Sequence, residues 1–375
     1  MIMRDMGVIY LDYNATSPVR PEVVEAMQLA MQHPTNASSV HALGRKARQQ
    51  VEDARSVVAD FVSAWANEVI FTSSGSEANN HVLRAFADRP ILVAATEHPS
   101  VLTTAQRLGG DILPVDAQGM VQLDVMEAKL KALGRPALVS VMLANNETGV
   151  IQPINEISRI AKQYDALVHS DAVQAVGKID VDMGVMGVDM LTICGHKCGG
   201  PIGVGALVVR NDLSIKPFIT GGGQELGRRA GTENVPAILG FARMLELVRD
   251  RSHMRDVENW MADMEAEITR FAPEATVFGD QVARLPNTCC ITMPNVSSET
   301  QLMSFDLEGF ALSAGSACSS GRMATSPVLL AMGADEEIAA NAIRISAGWQ
   351  TQQSDLAAFV SAWKKTYTRL AKKAA

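Results

Sequence analysis

Cys194-Gly195-His196-Lys197 follows a short apolar run, Met190 to Ile193, and Asp171-Ala172-Val173-Gln174 follows another, Ala166 to His169. Taken singly, these residues have ordinary roles. A lysine at a strand–loop junction is usually solvated, a lone histidine is usually structural, and an aspartate in such a place often caps a helix. Taken together they suggest chemistry. Pyridoxal phosphate (PLP) needs a lysine for its aldehyde and a carboxylate for its pyridinium nitrogen. A lysine made nucleophilic by desolvation and cationic neighbours suits Schiff-base formation. Asp171 and Lys197 stand at the ends of separate strand candidates, where open α/β sheets place their sites, so they could flank one ring. Thr72-Ser73-Ser74-Gly75-Ser76-Glu77 links a third strand candidate to a helix. Gly75 permits close backbone approach, Ser76 adds a hydroxyl, and a helix N-terminus offers N–H groups to phosphate. The same turn could simply start a helix, and Glu77 suits a brace of that turn better than a phosphate partner.

The elements that must position these residues alternate along the chain. Val69–Thr72, Ile91–Ala95, Ala137–Leu143, Ala166–His169, Met190–Ile193 and Gly205–Val209 are continuous apolar runs of strand length. Helical segments at Glu77–Ala87, Ser100–Leu108 and Ile154–Tyr164 separate several of them. This rhythm predicts an α/β fold with a mostly parallel sheet covered on both faces. Upstream, Pro21–Gln32 predicts a short helix with proline in its first turn. Val40–Ala64 predicts a long amphipathic helix whose core stripe is Leu43, Ala47, Val51, Ala54, Val58 and Phe61. From Pro236 a long helical stretch begins. Strand-like Cys289–Met293 and Ala342–Ser346 then mix with helical Glu299–Leu307 and Ser354–Leu370. The expected organisation is a large domain over 15–255 and a smaller α+β domain over 256–375, with residues 1–14 packing on the latter.

The 375 residues suit two or three domains at roughly 150 residues each. A net charge of −8 argues against a bulk electrostatic grip on nucleic acid or anionic lipid. Met1–Tyr10 lacks the apolar core of a signal peptide, and no apolar run approaches the roughly 20 residues that span a bilayer. Five irregularly spaced cysteines do not form a disulfide framework and point to a reducing compartment. A soluble, cytoplasmic protein is expected.

Six segments occur in one order: Thr96-Glu97-His98, Asn145-Asn146-Glu147-Thr148-Gly149, Asp171 to Gln174, Gly195-His196-Lys197, Gly221-Gly222-Gly223-Gln224-Glu225 and Gly315-Ser316-Ala317-Cys318. Together they resemble the NifS/IscS group of cysteine desulfurases, within the class V aminotransferase family of fold-type I PLP enzymes. The resemblance runs from Tyr10-Leu11-Asp12-Tyr13-Asn14-Ala15-Thr16 to Ile343–Gly348. It implies that Lys197 bonds PLP and later removes the substrate Cα proton. It implies that Asp171 pairs with the pyridine nitrogen, Gln174 bonds the phenolic oxygen, His98 stacks on the ring and moves protons near the substrate sulfur, and Asn146 touches the cofactor. Gly75, Ser76 and His196 match phosphate-binding positions, and Cys194 stands where the family usually has a serine phosphate donor. Thr232 matches a phosphate contact delivered from a second subunit, which implies a homodimer with sites at its interface.

By the same resemblance Arg344 clamps the carboxylate of an L-cysteine substrate, a task suited to a guanidinium fork. Asn36 is a second candidate for that carboxylate; outside its motif, Arg344 would suit a surface ion pair. Cys318 lies in a Ser/Gly/Ala-rich stretch whose composition suits a loop. It is implied to attack the substrate sulfur as a thiolate, forming a persulfide and releasing alanine. The sulfur would pass to an acceptor or an iron–sulfur scaffold protein. Without the resemblance, Cys318 would suit an ordinary small buried cysteine.

The chain departs from the usual pattern at Ser74-Gly75-Ser76 (for Gly-Ala-Thr), in the Ser346–Trp349 run, which usually ends in arginine, and over Gly321–Pro327. Cys289 and Cys290 alternate faces of a strand, so one is expected in the core. Cys194 and Cys198 flank His196, but a zinc site wants four ligands, or three and a water, and no second ligand group accompanies them; no metal is expected. Two rivals remain at this level. A selenocysteine lyase or aminotransferase of the same fold is disfavoured by Cys318, since transamination needs no thiol. A non-catalytic partner of an iron–sulfur scaffold is disfavoured by intact Lys197, Asp171, His98 and Cys318.

Overall fold

Strands that are apolar on both faces need cover on both faces, and the central sheet receives it. The computed structural model describes residues 7–34, 36–315 and 325–371. Its strands are β1 (Ile9–Tyr10), β2 (Val69–Thr72), β3 (Ile91–Ala94), β4 (Asp111–Leu113), β5 (Leu138–Ser140), β6 (Leu167–Asp171), β7 (Met190–Cys194), β8 (Gly205–Val209), β9 (Thr288–Thr292), β10 (Phe310–Ala311) and β11 (Ala342–Ser346). A seven-stranded sheet has the order β2-β8-β7-β6-β5-β3-β4. Neighbours among β3 to β7 pair parallel, and β8 alone runs against them, antiparallel to both β7 and β2. Alternate residues enter different cores: Val139, Val168 and Leu191 on one face, and Leu138, Leu167 and Met190 on the other.

β4 and the helix Leu123–Leu133 are among the elements that the sequence expectation left out. β4 is a three-residue edge strand with exposed Asp111, so it carries no continuous apolar run. The helix Leu123–Leu133 ends on Gly134 in the left-handed conformation.

The helix Ala42–Phe61 buries Ala47, Val51, Ala54 and Val58, but Leu43 is exposed, which corrects the expected stripe. His41 caps this helix by accepting from the Gly44 N–H, and the stripe reaches the core only beyond that first turn. Buried Arg55 on the same helix meets Glu225 at 2.7 Å and donates to the Val69 carbonyl at 3.0 Å. Glu225 also accepts from the Phe71 N–H at 2.9 Å. Removing one partner of such a buried pair typically costs about 3–5 kcal/mol, because the other charge is stranded. The pair holds a backbone that needs holding: Glu225 and Leu226 both have positive φ, 50° and 58°.

A second apolar cluster lies towards the C-terminus. Helices Ser252–Phe271 and Gln353–Leu370 pack with the antiparallel pair β9–β11 around Phe305, Phe359 and Trp363. Leu11 belongs to this cluster, and β1 pairs with β10. Both Cys289 and Cys290 are buried, contrary to the expectation of one. β9 lies between two cores, so alternation sends Cys289 into the second cluster and Cys290 into the large one. No described helix is long and apolar enough to cross a membrane.

Candidate active site

Because β2, β3, β5, β6 and β7 all run the same way, the segments following their carboxyl ends lie along one edge of the sheet. These segments carry Ser74–Ser76, His98, Asn146, Asp171 and Lys197. Ser74 caps the helix Gly75–Ala85 by accepting from the Glu77 N–H at 3.1 Å. The N–H groups of Gly75 and Ser76 therefore precede the intrahelical ladder. Glu77 braces the turn, as its type suggested. It accepts from the Ser73 N–H and from Arg229 Nε, both at 2.8 Å. Burial pushes its carboxyl up, but Arg229 and Ser73 outweigh this and hold it below the usual range. A Cβ on Gly75 would lie 2.9 Å from Val173, so this glycine seats the helix against the Asp171 loop.

One turn into that helix, Asn79 Nδ2 donates to Asp171 Oδ2 at 2.7 Å and to Ser100 Oγ at 2.9 Å. Asp171 Oδ1 accepts from the Val173 N–H at 2.9 Å, so the carboxylate is fixed at both oxygens. The Ser100 N–H donates to His98 Nδ1 at 3.1 Å, with Ser100 Oγ 2.8 Å from the same nitrogen. Neutral His98 thus carries its proton on Nε2. Burial lowers the His98 pKa, with Asp171 opposing and Lys197 adding to the effect. The fields of Asp171 and Lys197 also both reach Cys194, which places the three motifs around one site.

Lys197 Nζ donates to the carbonyls of Asn14 and Ala15, each at 2.8 Å. His196 Nδ1 lies 3.3 Å from Thr16 Oγ1, and burial followed by the Lys197 charge pushes its pKa down to about 4, so it is neutral. Cys194 ends β7 and is buried. Its sulfur accepts from the N–H groups of His196 and Lys197, while burial pushes the thiol up to about 12. It braces the turn that presents the lysine. Gln174 Nε2 donates to the Asn14 carbonyl at 2.9 Å, and its Oε1 accepts from Lys178 Nζ at 2.8 Å.

Arg344, in the middle of β11, is buried rather than on the surface. It donates to Asp12 at 2.6 Å and to the Asn146 carbonyl at 3.1 Å, and its buried Nε has no partner among the described residues. Asn146 thereby joins the Arg344 end to the rest of the site. Two candidates stand apart. Asn36 is exposed and its Oδ1 accepts from the Ser38 N–H in a local turn. Thr232 is exposed, on a segment tied to the start of helix Gly75–Ala85 by the Arg229–Glu77 pair. Cys318 lies outside the described residues. Among the described residues, no three His, Cys, Asp or Glu side chains form a metal-binding group. Cys198 is buried 3.1 Å from Met244 Sδ.

Glu147 supplies a pH dependence. It is buried, accepts from Ser326 Oγ at 2.5 Å, and lies so close to Gly315 that a Cβ there would sit 2.1 Å from Oε2. Burial pushes its carboxyl up to about 7, with Ser326 and Arg344 holding it back. The folded pKa therefore exceeds the unfolded one. Below the ordinary carboxyl range both states are protonated and nothing is lost. As the pH rises towards 7 the unfolded chain releases its proton first, and stability falls. Glu147→Gln, which keeps the neutral shape, is expected to melt a few degrees higher than the parent at about pH 8, the gap closing towards about pH 4. Thermal unfolding of both proteins across that range checks it.

Asn79, Ser100, Asn14 and Lys178 are site residues that sequence reasoning missed. Faint signals existed. Lys178 follows Gln174 by four residues, a spacing at which two side chains can meet across a turn. Asn14 sits inside the N-terminal motif.

The profile of the class-V aminotransferases matches residues 9–359. The chain belongs to that family. Within the class-V aminotransferases, a cysteine desulfurase IscS of Dictyoglomus turgidum is 40% identical over 366 residues, covering 93% of this chain and 91% of its own length. A cysteine desulfurase of Trichormus azollae is 39% identical over 376 residues, covering 97% and 94%. The crystal structure of a NifS-like protein from Rickettsia africae superposes with a TM-score of 0.91 at 37% identity, over 96% of this chain and 99% of that one. Class-V aminotransferases of this kind are PLP-dependent, and the donor set fits the cofactor. It holds a doubly anchored buried carboxylate, a lysine amine whose field meets that of the carboxylate, and a helix N-terminus with N–H groups outside the ladder.

Proposed function

We propose that this class-V aminotransferase is a PLP-dependent cysteine desulfurase, which takes sulfur from L-cysteine, gives L-alanine and carries the sulfur as a persulfide on Cys318. The observation that carries this is the meeting of Lys197, Asp171 and His98 at one sheet edge, in a chain 40% identical to a cysteine desulfurase. When bound, PLP supplies an electron sink for a carbanion at the substrate Cα. Asp171, aimed by Asn79 and Val173, would hold the proton on the ring nitrogen. Lys197 Nζ takes the Cα proton. His98 would stack on the ring, and the proton on its Nε2 would be the one available to the substrate sulfur. Gln174 and Asn146 fix the ring's orientation. Gly75, Ser76 and His196 hold the phosphate, Cys194 supports them through the turn it braces, and Thr232 reaches the phosphate of a second subunit in a homodimer.

Arg344 receives the substrate carboxylate, its partnerless Nε supporting that role. The carboxylate competes with Asp12 for the guanidinium, and Asn36 is the secondary contact. The Cys318 thiolate attacks the substrate sulfur: an S–S bond forms as the C–S bond breaks, and its electron pair stays with the carbon skeleton that leaves as alanine. The persulfide passes to a cytoplasmic acceptor or iron–sulfur scaffold protein. The apolar cluster of Leu11 with residues between Val257 and Trp363 supports a domain boundary near residue 255, giving 15–255 and 256–375 with 1–14. Mass spectrometry after cysteine treatment is expected to find one extra sulfur on Cys318, and Cys318→Ser to lose sulfide release. Release at the parental rate from that variant would overturn the assignment.

A further inference from the structure

Asn14 is 1% exposed and engaged on every side. Its N–H donates to Ser346 Oγ at 3.0 Å, and Nδ2 donates to the Asn146 carbonyl at 3.2 Å and to Thr288 Oγ1 at 2.9 Å. Its Oδ1 accepts from Lys178 Nζ at 2.8 Å and from Asn287 Nδ2 at 3.3 Å. Its carbonyl accepts from Gln174 Nε2 and Lys197 Nζ, at 2.9 and 2.8 Å. One residue near the start of the chain thus touches the lysine, the glutamine and the strand that carries Arg344.

Lys178 is the other half of this unit. It is 6% exposed, and no carboxylate of the described residues pairs with it. Its ammonium bonds two neutral oxygens, Asn14 Oδ1 and Gln174 Oε1. Burial pulls its pKa down to about 7, with Cys198 opposing and Lys197 and Arg344 adding. A buried amine without a counter-ion is an expensive way to fill space, and an apolar side chain would fill it better. What it adds is direction. With Oε1 held by Lys178 and one Nε2 proton held by Asn14, the Gln174 amide cannot flip, and its second Nε2 proton is the one it can aim at a ligand.

We propose that Asn14 and Lys178 are positioning residues that hold the Lys197 amine and the Gln174 amide where the cofactor meets them. The inference rests on Lys197 being the lysine that bonds PLP. Asn14 locks the carbonyl that receives the amine, and Lys178 locks the Asn14 side chain from below.

The test uses the full chain stripped of cofactor, as parent, Asn14→Ala and Lys178→Met. Pyridoxamine phosphate has no aldehyde, cannot bond Lys197, and so reports the pocket alone. PLP reports the amine as well: Lys197 condenses with the aldehyde, one water leaves, and a visible absorbance band appears. Capture of PLP is expected to slow about tenfold to a hundredfold in Asn14→Ala, as displaced reacting groups do. Lys178→Met should shift it in the same direction by less. Affinity for pyridoxamine phosphate, which feels Gln174 but not the amine, should fall by less than capture does in both variants. Parental capture rates in both variants would overturn the proposal. So would a parallel loss of affinity and capture in both, which would assign the pair to pocket architecture alone. A parent that gives no band would overturn the reading of Lys197, and this inference with it.

Discussion

Lys197→Ala is expected to lose the visible band of lysine-bound PLP and to lower desulfurase turnover at least about 10²- to 10⁴-fold, the usual worth of a positioned proton-transfer group. On the proposed mechanism two roles end together, since one amine would both bond the cofactor and take the Cα proton. The fold should survive. The Asn14 and Ala15 carbonyls lose this donor, but Lys197 is only half-buried, so water can replace it, and Asn14 keeps its bonds to Gln174, Lys178 and Ser346. Lys197→Arg separates the roles from mere charge. It can keep a cation facing the two carbonyls, yet a guanidinium stays protonated and neither condenses with an aldehyde nor acts as a base. Both variants are expected to melt close to the parent and to be nearly inactive in alanine and sulfide formation. A small amine added to Lys197→Ala should restore part of the rate. Parental turnover in either variant would remove Lys197 from the mechanism.

Asp171→Ala is expected to cost about 10²- to 10³-fold in turnover, the size found when one preorganised electrostatic partner is removed from a site. On the proposed mechanism the carboxylate would keep the ring nitrogen protonated, and that proton would make the ring a good electron sink. The loss should fall on kcat rather than KM, because the interaction matters most as charge develops. A stability cost accompanies it. Asn79 Nδ2 and the Val173 N–H lose their acceptor at a position 7% exposed, each worth about 1–3 kcal/mol if left unsatisfied. Asp171→Asn retains an acceptor oxygen and should recover much of the stability but little of the rate, since an amide carries no charge. Steady-state kinetics beside denaturant unfolding separates the two. Equal kcat for Asp171→Asn and the parent would show that charge at this position is dispensable.

The strands that carry the site were legible for a local reason. A strand buried on both faces is a short continuous apolar run, and β2, β8 and β11 have the bounds their runs suggest. Since ligands gather at carboxyl ends, Asp171 and Lys197 could be singled out before any contact was known. Where burial depended on distant surroundings, the same reasoning faltered. The stripe through Leu43 marks a helix face correctly, yet spacing does not say at which turn that face leaves the core. Alternation at Cys289 and Cys290 separates core from solvent only when one side of the strand is wet, and neither side of β9 is.

The polar residues divide most sharply. Residue types and order pointed to the proposed PLP lysine and its proposed carboxylate partner and, through the family resemblance, to the candidate nucleophile Cys318, because each motif is contiguous in the chain. Tertiary structure decided what holds them. Asn79 reaches Asp171 across 92 residues, and the Asn14 carbonyl meets Lys197 across 183. Arg344, expected as the clamp of the substrate carboxylate, meets Asp12 across 332 residues and is buried. An asparagine or an unpaired lysine has no periodicity that announces such a partner. Its worth lies in the bonds it makes once the chain has closed around it, and only burial makes those bonds obligatory.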